Sequence, residues 1–412
     1  MKLYRIFRKC FPVLILISAV VIIFSPIIYS TLFLNFTIQP QNFSDGMIRQ
    51  YSNDNLNSRV DVKLPKGIWE IKWQSPLIKG LDPQCILVRD ERILVQGFQN
   101  WQLFDVTGKN ISTARFSNSD VIIDPDKSLI YCADQNSMLT AYDLTDGKLN
   151  FILDDVYGVK YRRSFITRFQ NNLIVVSNEQ QLDPHSSEKP DVTYIQIQLM
   201  ENQVKVDDLK ILSNSKRGKI EKRTSAEVIA ASTEEQLIIA YKDNVELLNQ
   251  ELNIIKSYQD KFFPLAISLD EKLNIYLIIK KEDGEPVLWI LTSECKRTFE
   301  YSLPVSEKFE PPCIGYDGTC FINLGNQILA INPDEGLIWN KFTQPVSGIL
   351  ALSDYNLLIT EGGFVQALDN LGERKFVYEF PPGTNLTAPC ISEKGEIYIA
   401  DAKSLYCLKI KD

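Results

Sequence analysis

Eight weakly similar segments follow one another from Pro83 to Asp412, and this repetition constrains the fold more than any other feature of the chain. Each copy contains an apolar strand, a tight turn, a second strand, a short break, and a third strand that ends in a small or polar residue. The residues that close the third strands mark the period: Asp105, Asp143, Gln198, Asn249, Thr292, Asn332, Asp369 and Lys409. Their spacing averages roughly 40 residues, which is the period of propeller blades and is too long for leucine-rich repeats.

The copies are rich in short apolar runs typical of β-strands. Residues 173–176 (LIVV), 237–241 (LIIAY) and 275–279 (IYLII) are bounded by polar turns. Inner strands of stacked sheets are buried on both faces, so continuous apolar runs are expected as well as strict alternation. The repeat region has no clear amphipathic helical pattern. We therefore predict an all-β fold class, an eight-bladed β-propeller over residues 67–412.

One strand of the eighth sheet is predicted to come from the beginning of the repeat region. Most copies are followed by an outer strand, such as GLIWNKF after Asn332, but only three residues follow Lys409. A similar segment, GIWEIKW at residues 67–73, precedes the first copy. We predict that it pairs with the eighth sheet and closes the propeller, because closure removes exposed sheet edges. An isolated strand beside the sheets is the alternative.

The N-terminal region predicts a membrane anchor. Residues 1–9 form a basic tail with Lys2, Arg5, Arg8 and Lys9, and the uncharged, mainly apolar stretch 10–36 is long enough to cross a bilayer. A cleaved signal peptide is the alternative, but its apolar core would be shorter and followed by a small-residue cleavage site. Basic residues remain in the cytoplasm. We therefore predict a single-pass membrane protein with a polar tether at 37–66 and an extracytoplasmic propeller, in the periplasm or at the cell surface.

Charge excludes nucleic acid as the general partner of the domain. The chain carries a net charge of −8, and its first nine residues contribute +4, so the remainder carries −12. Proteins that bind nucleic acid present basic rather than acidic surfaces.

The repeats resemble a known family. The matching segments are residues 103–109 (LFDVTGK), 141–148 (AYDLTDGK), 329–336 (LAINPDEG) with Trp339, and 367–372 (ALDNLG). They resemble the PQQ-like repeats of quinoprotein alcohol dehydrogenases and of the outer-membrane-assembly scaffold lipoprotein. The resemblance implies a β-propeller over residues 67–412. It is good in the first two and last three copies and poor in copies three to five.

The resemblance does not extend to the quinone site of the family's dehydrogenases. Those enzymes hold their cofactor between a tryptophan and a disulfide of adjacent cysteines, beside a calcium ion. This chain has no adjacent cysteines and a single histidine, His185, in a polar insertion. The interpretation is therefore a scaffold-type member with no catalytic residue, cofactor or metal.

Three cysteines are predicted to share one repeat position next to a proline: Cys85, Cys313 and Cys390. A free cysteine packs there as a small apolar residue. Cys313 and Cys320 lie on facing strands of one hairpin, so a disulfide between them stays open as an alternative.

The candidate binding residues are basic and lie in or near two long insertions. They are Arg162, Arg163, Lys216, Arg217, Lys219, Lys222 and Arg223. Such a cluster can contact an acidic partner or anionic headgroups, and a solvated loop is the alternative. The functional hypothesis is a membrane-anchored scaffold for an unidentified protein partner, for example within a membrane complex. A sensor or carrier binding a small ligand in the central channel, or an enzyme with an unrecognised site, are the other hypotheses.

Overall fold

The fold is known from a computed structural model. It describes residues 59–60, 63–64, 66–89, 91–97, 100–115, 120–124, 128–133, 139–153, 161–169, 172–179, 191–198, 222–223, 229–232, 236–249, 253–270, 272–306, 309–354, 356–381, 384–392 and 394–411. The chain divides into two units, Met1–Phe43 and Ser44–Asp412, and every described residue belongs to the second.

The described residues form eight sheets, numbered 1 to 8 along the chain. Each sheet contains four antiparallel strands, and sheet 7 has one additional, parallel strand that is described below. The strands of sheets 1 to 4 are Pro83–Arg89, Arg92–Gly97, Asn100–Asp105 and Asn110–Arg115; Asp120–Asp124, Leu129–Ala133, Leu139–Asp143 and Leu149–Leu153; Tyr161–Phe169, Asn172–Glu179, Asp191–Gln198 and Lys222–Arg223; Ile229–Ser232, Leu237–Tyr241, Asn244–Leu248 and Ile254–Gln259. The strands of sheets 5 to 8 are Phe262–Leu269, Ile275–Lys281, Pro286–Leu291 and Arg297–Ser302; Cys313–Ile314, Cys320–Asn323, Gln327–Asn332 and Gly336–Phe342; Val346–Leu352, Leu357–Glu361, Phe364–Leu368 and Arg374–Glu379; Cys390–Ile391, Ile397–Ala400 and Ser404–Ile410. The prediction of an all-β architecture is confirmed for these residues.

The apolar cores lie between successive sheets. Separate clusters join sheets 1 and 2, 4 and 5, 5 and 6, 6 and 7, and 7 and 8. The first strands of sheets 2, 3 and 4 lie side by side. A further cluster, with Ile86 and Tyr398 among its members, packs the eighth sheet against the first. Middle strands are therefore buried on both faces, which explains uninterrupted apolar runs such as residues 275–279.

The eighth sheet takes its fourth strand from the beginning of the repeat region, as predicted. Trp69–Pro76 pairs antiparallel with Ser404–Ile410, from Trp69 opposite Ile410 to Pro76 opposite Ser404. The backbone N–H of Lys411 also donates to the carbonyl of Ile68, at 2.7 Å. The prediction that this segment pairs with the last copy is confirmed, although the strand begins two residues later than the predicted segment.

Tryptophans in fourth strands bind the next sheet along. The Trp339 indole N–H of sheet 6 donates to the Asn370 carbonyl in sheet 7, at 3.0 Å. The Trp73 indole N–H of sheet 8 donates to the Val106 carbonyl in sheet 1, also at 3.0 Å. Sheet 8 is thus joined to sheet 1 by the same contact that joins sheet 6 to sheet 7.

Several of the residues that mark the sequence period close the turn between the third and fourth strands of their sheets. The Asp105 Oδ1 atom accepts hydrogen bonds from the backbone N–H groups of Thr107 and Lys109, at 2.9 and 3.1 Å. Asp369 accepts from Leu371 and Glu373 in the same way. Asn249 and Asn332 perform this role in their own sheets with an amide oxygen. Turn closure therefore explains why a short polar acceptor recurs at this position.

We expect acid to weaken two of these turns. Burial raises the pKa of Asp105, but hydrogen bonds from the Thr107 hydroxyl and from two backbone N–H groups outweigh it, so the pKa lies below its ordinary value. The pKa of Asp369 is likewise lowered, because Lys375 and two backbone N–H groups outweigh burial. A carboxylate with a depressed pKa contributes stability above its unfolded pKa, near 3.8, and loses it as pH falls through the lower folded value.

The matched variant is Asp105→Asn with Asp369→Asn, since asparagine serves at positions 249 and 332. We expect the stability difference between wild type and variant to be largest near pH 7 and to shrink as pH falls below about 4. Urea unfolding at pH 7, 5, 4 and 3 measures it. A difference that stays constant over this range would contradict the assignment.

Two residues of the predicted tether have an unexpected partner. Arg59–Val60 pairs parallel with the first strand of sheet 7, Arg59 opposite Ala351 and Val60 opposite Leu352. The expectation of an irregular tether over 37–66 does not hold at these two residues. The predicted anchor at 10–36 lies outside the described residues, and the part of the chain that is described contains no helix long and apolar enough to cross a membrane.

The cysteine predictions are corrected in two respects. Cys313 lies opposite Phe321 and Cys390 opposite Tyr398, in equivalent places, but Cys85 lies opposite Gln96 after a register shift beside Pro83. The shared repeat position is therefore wrong for Cys85.

The alternative of a disulfide between Cys313 and Cys320 is also wrong. Cys313 packs in the core between sheets 6 and 7, whereas Cys320 packs in the core between sheets 5 and 6. Their side chains lie on opposite faces of one sheet, so neither thiol reaches the other.

Candidate binding surface

The strand order brings the connections between sheets to one end of the molecule, which we call the crossover end. Each sheet has four antiparallel strands, so the chain leaves the fourth strand at the end where it entered the first. The turns between second and third strands lie at this end too. The turns closed by Asp105, Asp369 and their equivalents lie at the opposite end.

Four of the predicted basic residues lie at the crossover end of sheet 3. Arg162 and Arg163 are near the start of the first strand, and Lys222–Arg223 is the fourth strand. Arg163 is opposite Asn178, Asn178 opposite Val192, and Val192 opposite Lys222, so these residues form one row across the sheet. At about 4.8 Å per strand, the backbones of Arg163 and Lys222 are about 14 Å apart.

The other predicted basic residues are not among those that the structure describes. They are Lys216, Arg217 and Lys219, and His185 also lies outside the described residues. The structure thus brings together two basic pairs that are about 60 residues apart in the sequence.

Three exposed apolar side chains also lie at the crossover end, on consecutive connections. Phe263 is the second residue of the first strand of sheet 5, Val305 lies between sheets 5 and 6, and Phe342 ends the fourth strand of sheet 6. Their exposed fractions are 39, 88 and 76%. Exposed apolar side chains of this kind are candidate contacts for a partner. Sequence reasoning missed them, because an apolar residue beside a strand resembles a core residue.

Buried polar side chains brace the connections at this end. The Gln102 side-chain oxygen accepts from the Ile78 backbone N–H at 2.9 Å, on the connection into sheet 1. The Glu361 carboxylate accepts from the Gln344 N–H at 2.7 Å, and the Asn323 amide donates to the Val346 carbonyl at 3.3 Å, both on the connection into sheet 7. These loops are held in place without a partner, which lowers the entropy lost on binding.

Two lysines near Phe263 interact with other side chains of the protein. The Lys242 ammonium lies 5.2 Å from the Phe263 ring centroid, and Lys261 pairs with Glu282 at 3.3 Å. The pair is exposed, so water screens it strongly. Phe263 therefore has a mixed-charge border, and the same holds on sheet 3, where Asp191 lies opposite Arg223.

The opposite end also carries exposed apolar side chains. Leu371, in the turn that Asp369 closes, is 64% exposed, and Ile68, directly before the closing strand, is 74% exposed. Leu371 provides a matched control position, because its size and exposure resemble those of the apolar residues at the crossover end.

Three of the described thiols lie in environments that disfavour the reactive thiolate. Burial raises the pKa of Cys390 and of Cys407 to about 12 and that of Cys295 to about 11. A nucleophilic or metal-binding cysteine needs a thiolate, which these environments disfavour. Within the described ranges, no group of three or more acidic, cysteine or histidine side chains is arranged to hold a metal ion.

Comparison with known proteins identifies the fold. No protein-family model matches the chain, and no curated protein matches it. Among solved structures, BamB from Moraxella catarrhalis is 12% identical with a TM-score of 0.56, covering 84% of this chain and 98% of that chain. Sqt1 from Saccharomyces cerevisiae is 11% identical with a TM-score of 0.56, covering 85 and 100%.

A europium-containing methanol dehydrogenase has a TM-score of 0.58 at 9% identity, covering 89% of this chain and 91% of that chain. At these identities the similarity concerns the fold alone, and the chain is a β-propeller protein.

Proposed function

We propose that this protein is a membrane-anchored, extracytoplasmic propeller that serves as a scaffold for a protein partner. The observation that carries the proposal is the crossover end, where basic residues of sheet 3 and three exposed apolar side chains lie at the same end of the sheets, two of whose connections are held by buried polar side chains. Protein interfaces combine apolar anchors with a polar, charged border. Conversely, the buried thiols and the lack of a metal-binding cluster among the described residues give no support to catalysis.

The finer architecture belongs to the same proposal. Eight described sheets, and the packing of sheet 8 against sheet 1, support a closed ring of eight PQQ-like blades. The basic tail 1–9 and the apolar stretch 10–36 support a retained single-pass anchor, with the N-terminus in the cytoplasm. The partner contacts we propose are Arg162, Arg163, Lys216, Arg217, Lys219, Lys222 and Arg223, together with Phe263, Val305 and Phe342.

A small ligand in the central channel is the second hypothesis, and one observation weighs against it. Arg59–Val60 occupies the inner edge of sheet 7, where its backbone pairs with Ala351 and Leu352. The chain itself therefore covers part of the surface that such a ligand would contact. This favours a partner bound at the crossover end.

The test is cross-linking on intact spheroplasts with a membrane-impermeant reagent, followed by recovery of the tagged protein. Wild type is compared with three variants. The apolar variant combines Val305→Asp and Phe342→Asp, and the control is Leu371→Asp. The charge variant combines four substitutions: Arg162→Glu, Arg163→Glu, Lys222→Glu and Arg223→Glu. We expect both crossover-end variants to recover at least about tenfold less partner, because central contacts carry about 2 kcal/mol or more. The loss in the charge variant should be greatest at low salt.

The outcomes separate the parts of the proposal. Cross-links formed only by a permeant reagent would contradict the extracytoplasmic location. Equal losses in the Leu371→Asp control and the crossover-end variants would contradict the surface. Equal recovery from all the variants would contradict the scaffold function at this end.

A further inference from the structure

The described residues 59–60, 63–64 and 66–68, which we call the strap, lie between the inner edge of sheet 7 and the outer edge of sheet 8. Arg59–Val60 pairs with the first strand of sheet 7. The Leu64 backbone N–H donates to the Asp354 carboxylate at 3.0 Å, in the turn between the first two strands of that sheet. The Ile68 carbonyl then accepts from Lys411 at 2.7 Å, at the end of sheet 8. The strap continues directly into the closing strand Trp69–Pro76.

The strap also contributes to the core between these two sheets. The half-buried Leu64 packs against the cluster that contains Leu350 and Leu352 of sheet 7 and Ile399 and Leu408 of sheet 8. At Gly67 the backbone φ is +149°, and a Cβ there would lie 2.6 Å from Ile410 Cγ2. A side chain at this position would therefore push the strap away from sheet 8.

The described residues of the strap pair over a shorter length than those of the strand that follows it. Its pairing with sheet 7 is two residues long, whereas the closing strand pairs from residue 69 to residue 76. Lys63, Lys66 and Ile68 are exposed. Segments with few buried contacts open at a low free-energy cost, without global unfolding.

We propose that the strap is a releasable device that controls the joint between sheets 7 and 8. When bound, it covers the backbone of Ala351 and Leu352 and fixes the start of the closing strand. When released, it exposes the inner edge of sheet 7 and loosens the pairing of Trp69–Pro76 with Ser404–Ile410. The proposal goes beyond the scaffold function and does not depend on it.

Hydrogen exchange on the full chain tests the proposal, with Leu64→Ala as the variant and Ile68→Ala as the control. Both substitutions shorten an apolar side chain of the strap, but Ile68 is exposed. We expect Leu64→Ala to speed amide exchange at least about fivefold in both Val346–Leu352 and Ser404–Ile410. The control should stay within about twofold of wild type.

A third variant, Arg59→Pro with Val60→Pro, removes the pairing with sheet 7 and leaves Leu64 in place. It should speed exchange in Val346–Leu352 and, to a smaller extent, in Ser404–Ile410. It also serves if Leu64→Ala does not fold. Faster exchange confined to sheet 7 in every folded variant, or equal effects of Leu64→Ala and Ile68→Ala, would overturn the proposal.

Discussion

Deleting residues 67–74 should leave the domain largely unfolded at room temperature. The deletion removes most of the strand that pairs with Ser404–Ile410 and takes away two tryptophans. Trp69 is buried in the core between sheets 7 and 8, and Trp73 donates its indole N–H to the first sheet. Loss of a large buried aromatic costs about 3–5 kcal/mol. Together with the loss of the half-buried Trp73 and of the strand pairing, this approaches the whole stability of a domain, about 5–15 kcal/mol.

Single substitutions separate the loss of stability at the contact of sheets 7 and 8 from that at the contact of sheets 8 and 1. Trp69→Ala should weaken the joint of sheets 7 and 8, and Trp73→Ala the joint of sheets 8 and 1. Ile71→Ala is the control, because Ile71 belongs to the same strand but is exposed. Thermal unfolding followed by circular dichroism provides the measurement. A melting temperature unchanged by the deletion would show that the segment contributes nothing to the stability of the sheets.

The sequence predicted the repeated architecture well, because turn chemistry repeats even where the apolar residues vary. A short polar acceptor closes the turn between the third and fourth strands in several sheets, so residues such as Asp105, Asn249, Asn332 and Asp369 recur along the chain. The closing strand could be predicted for a related reason. The segment at 67–73 copies an outer strand together with its tryptophan, and that tryptophan makes the same contact in the structure.

Other features could not be predicted, because their signals are too short or depend on register. The pairing of Arg59–Val60 involves two residues in a polar segment, which gives no periodic pattern. Cys85 lies two residues before the position equivalent to that of Cys390, although both follow prolines closely in sequence. Leu87, which lies opposite Leu94, fills that position in the first sheet. A one-residue shift in a strand also exchanges the faces of its side chains, so sequence spacing alone cannot decide which cysteines meet.

The sequence predicted the basic residues of the proposed binding surface but not its apolar residues. The density of lysine and arginine marked Arg162, Arg163, Lys222 and Arg223, but their common location depends on the pairing of four strands. Phe263, Val305 and Phe342 gave no signal, since exposure of an isolated apolar residue follows from the path of the connection. Evidence from chain topology therefore adds the apolar half of the proposed interface.

Trp289→Ala should be among the most destabilising single substitutions in the chain. Trp289 is 1% exposed and fills the core between sheets 4 and 5. Its ring lies edge-on to Phe262 of sheet 5 and Tyr258 of sheet 4, with centroids 5.2 and 5.8 Å away. Removing it leaves a cavity between two sheets that are otherwise closely packed. The expected loss is about 3–5 kcal/mol, or a fall of roughly 4–7 °C in melting temperature for a domain of this size.

The polar edge of the same side chain makes a smaller contribution, which Trp289→Phe isolates. The indole N–H donates to Glu300 at 3.0 Å, and the Arg297 guanidinium lies 4.6 Å from the ring. Phenylalanine keeps an aromatic ring in the core but loses the hydrogen bond, so we expect less than half of the alanine effect. Equal destabilisation by the two substitutions would show that the hydrogen bond to Glu300, and not packing between the sheets, dominates at this position.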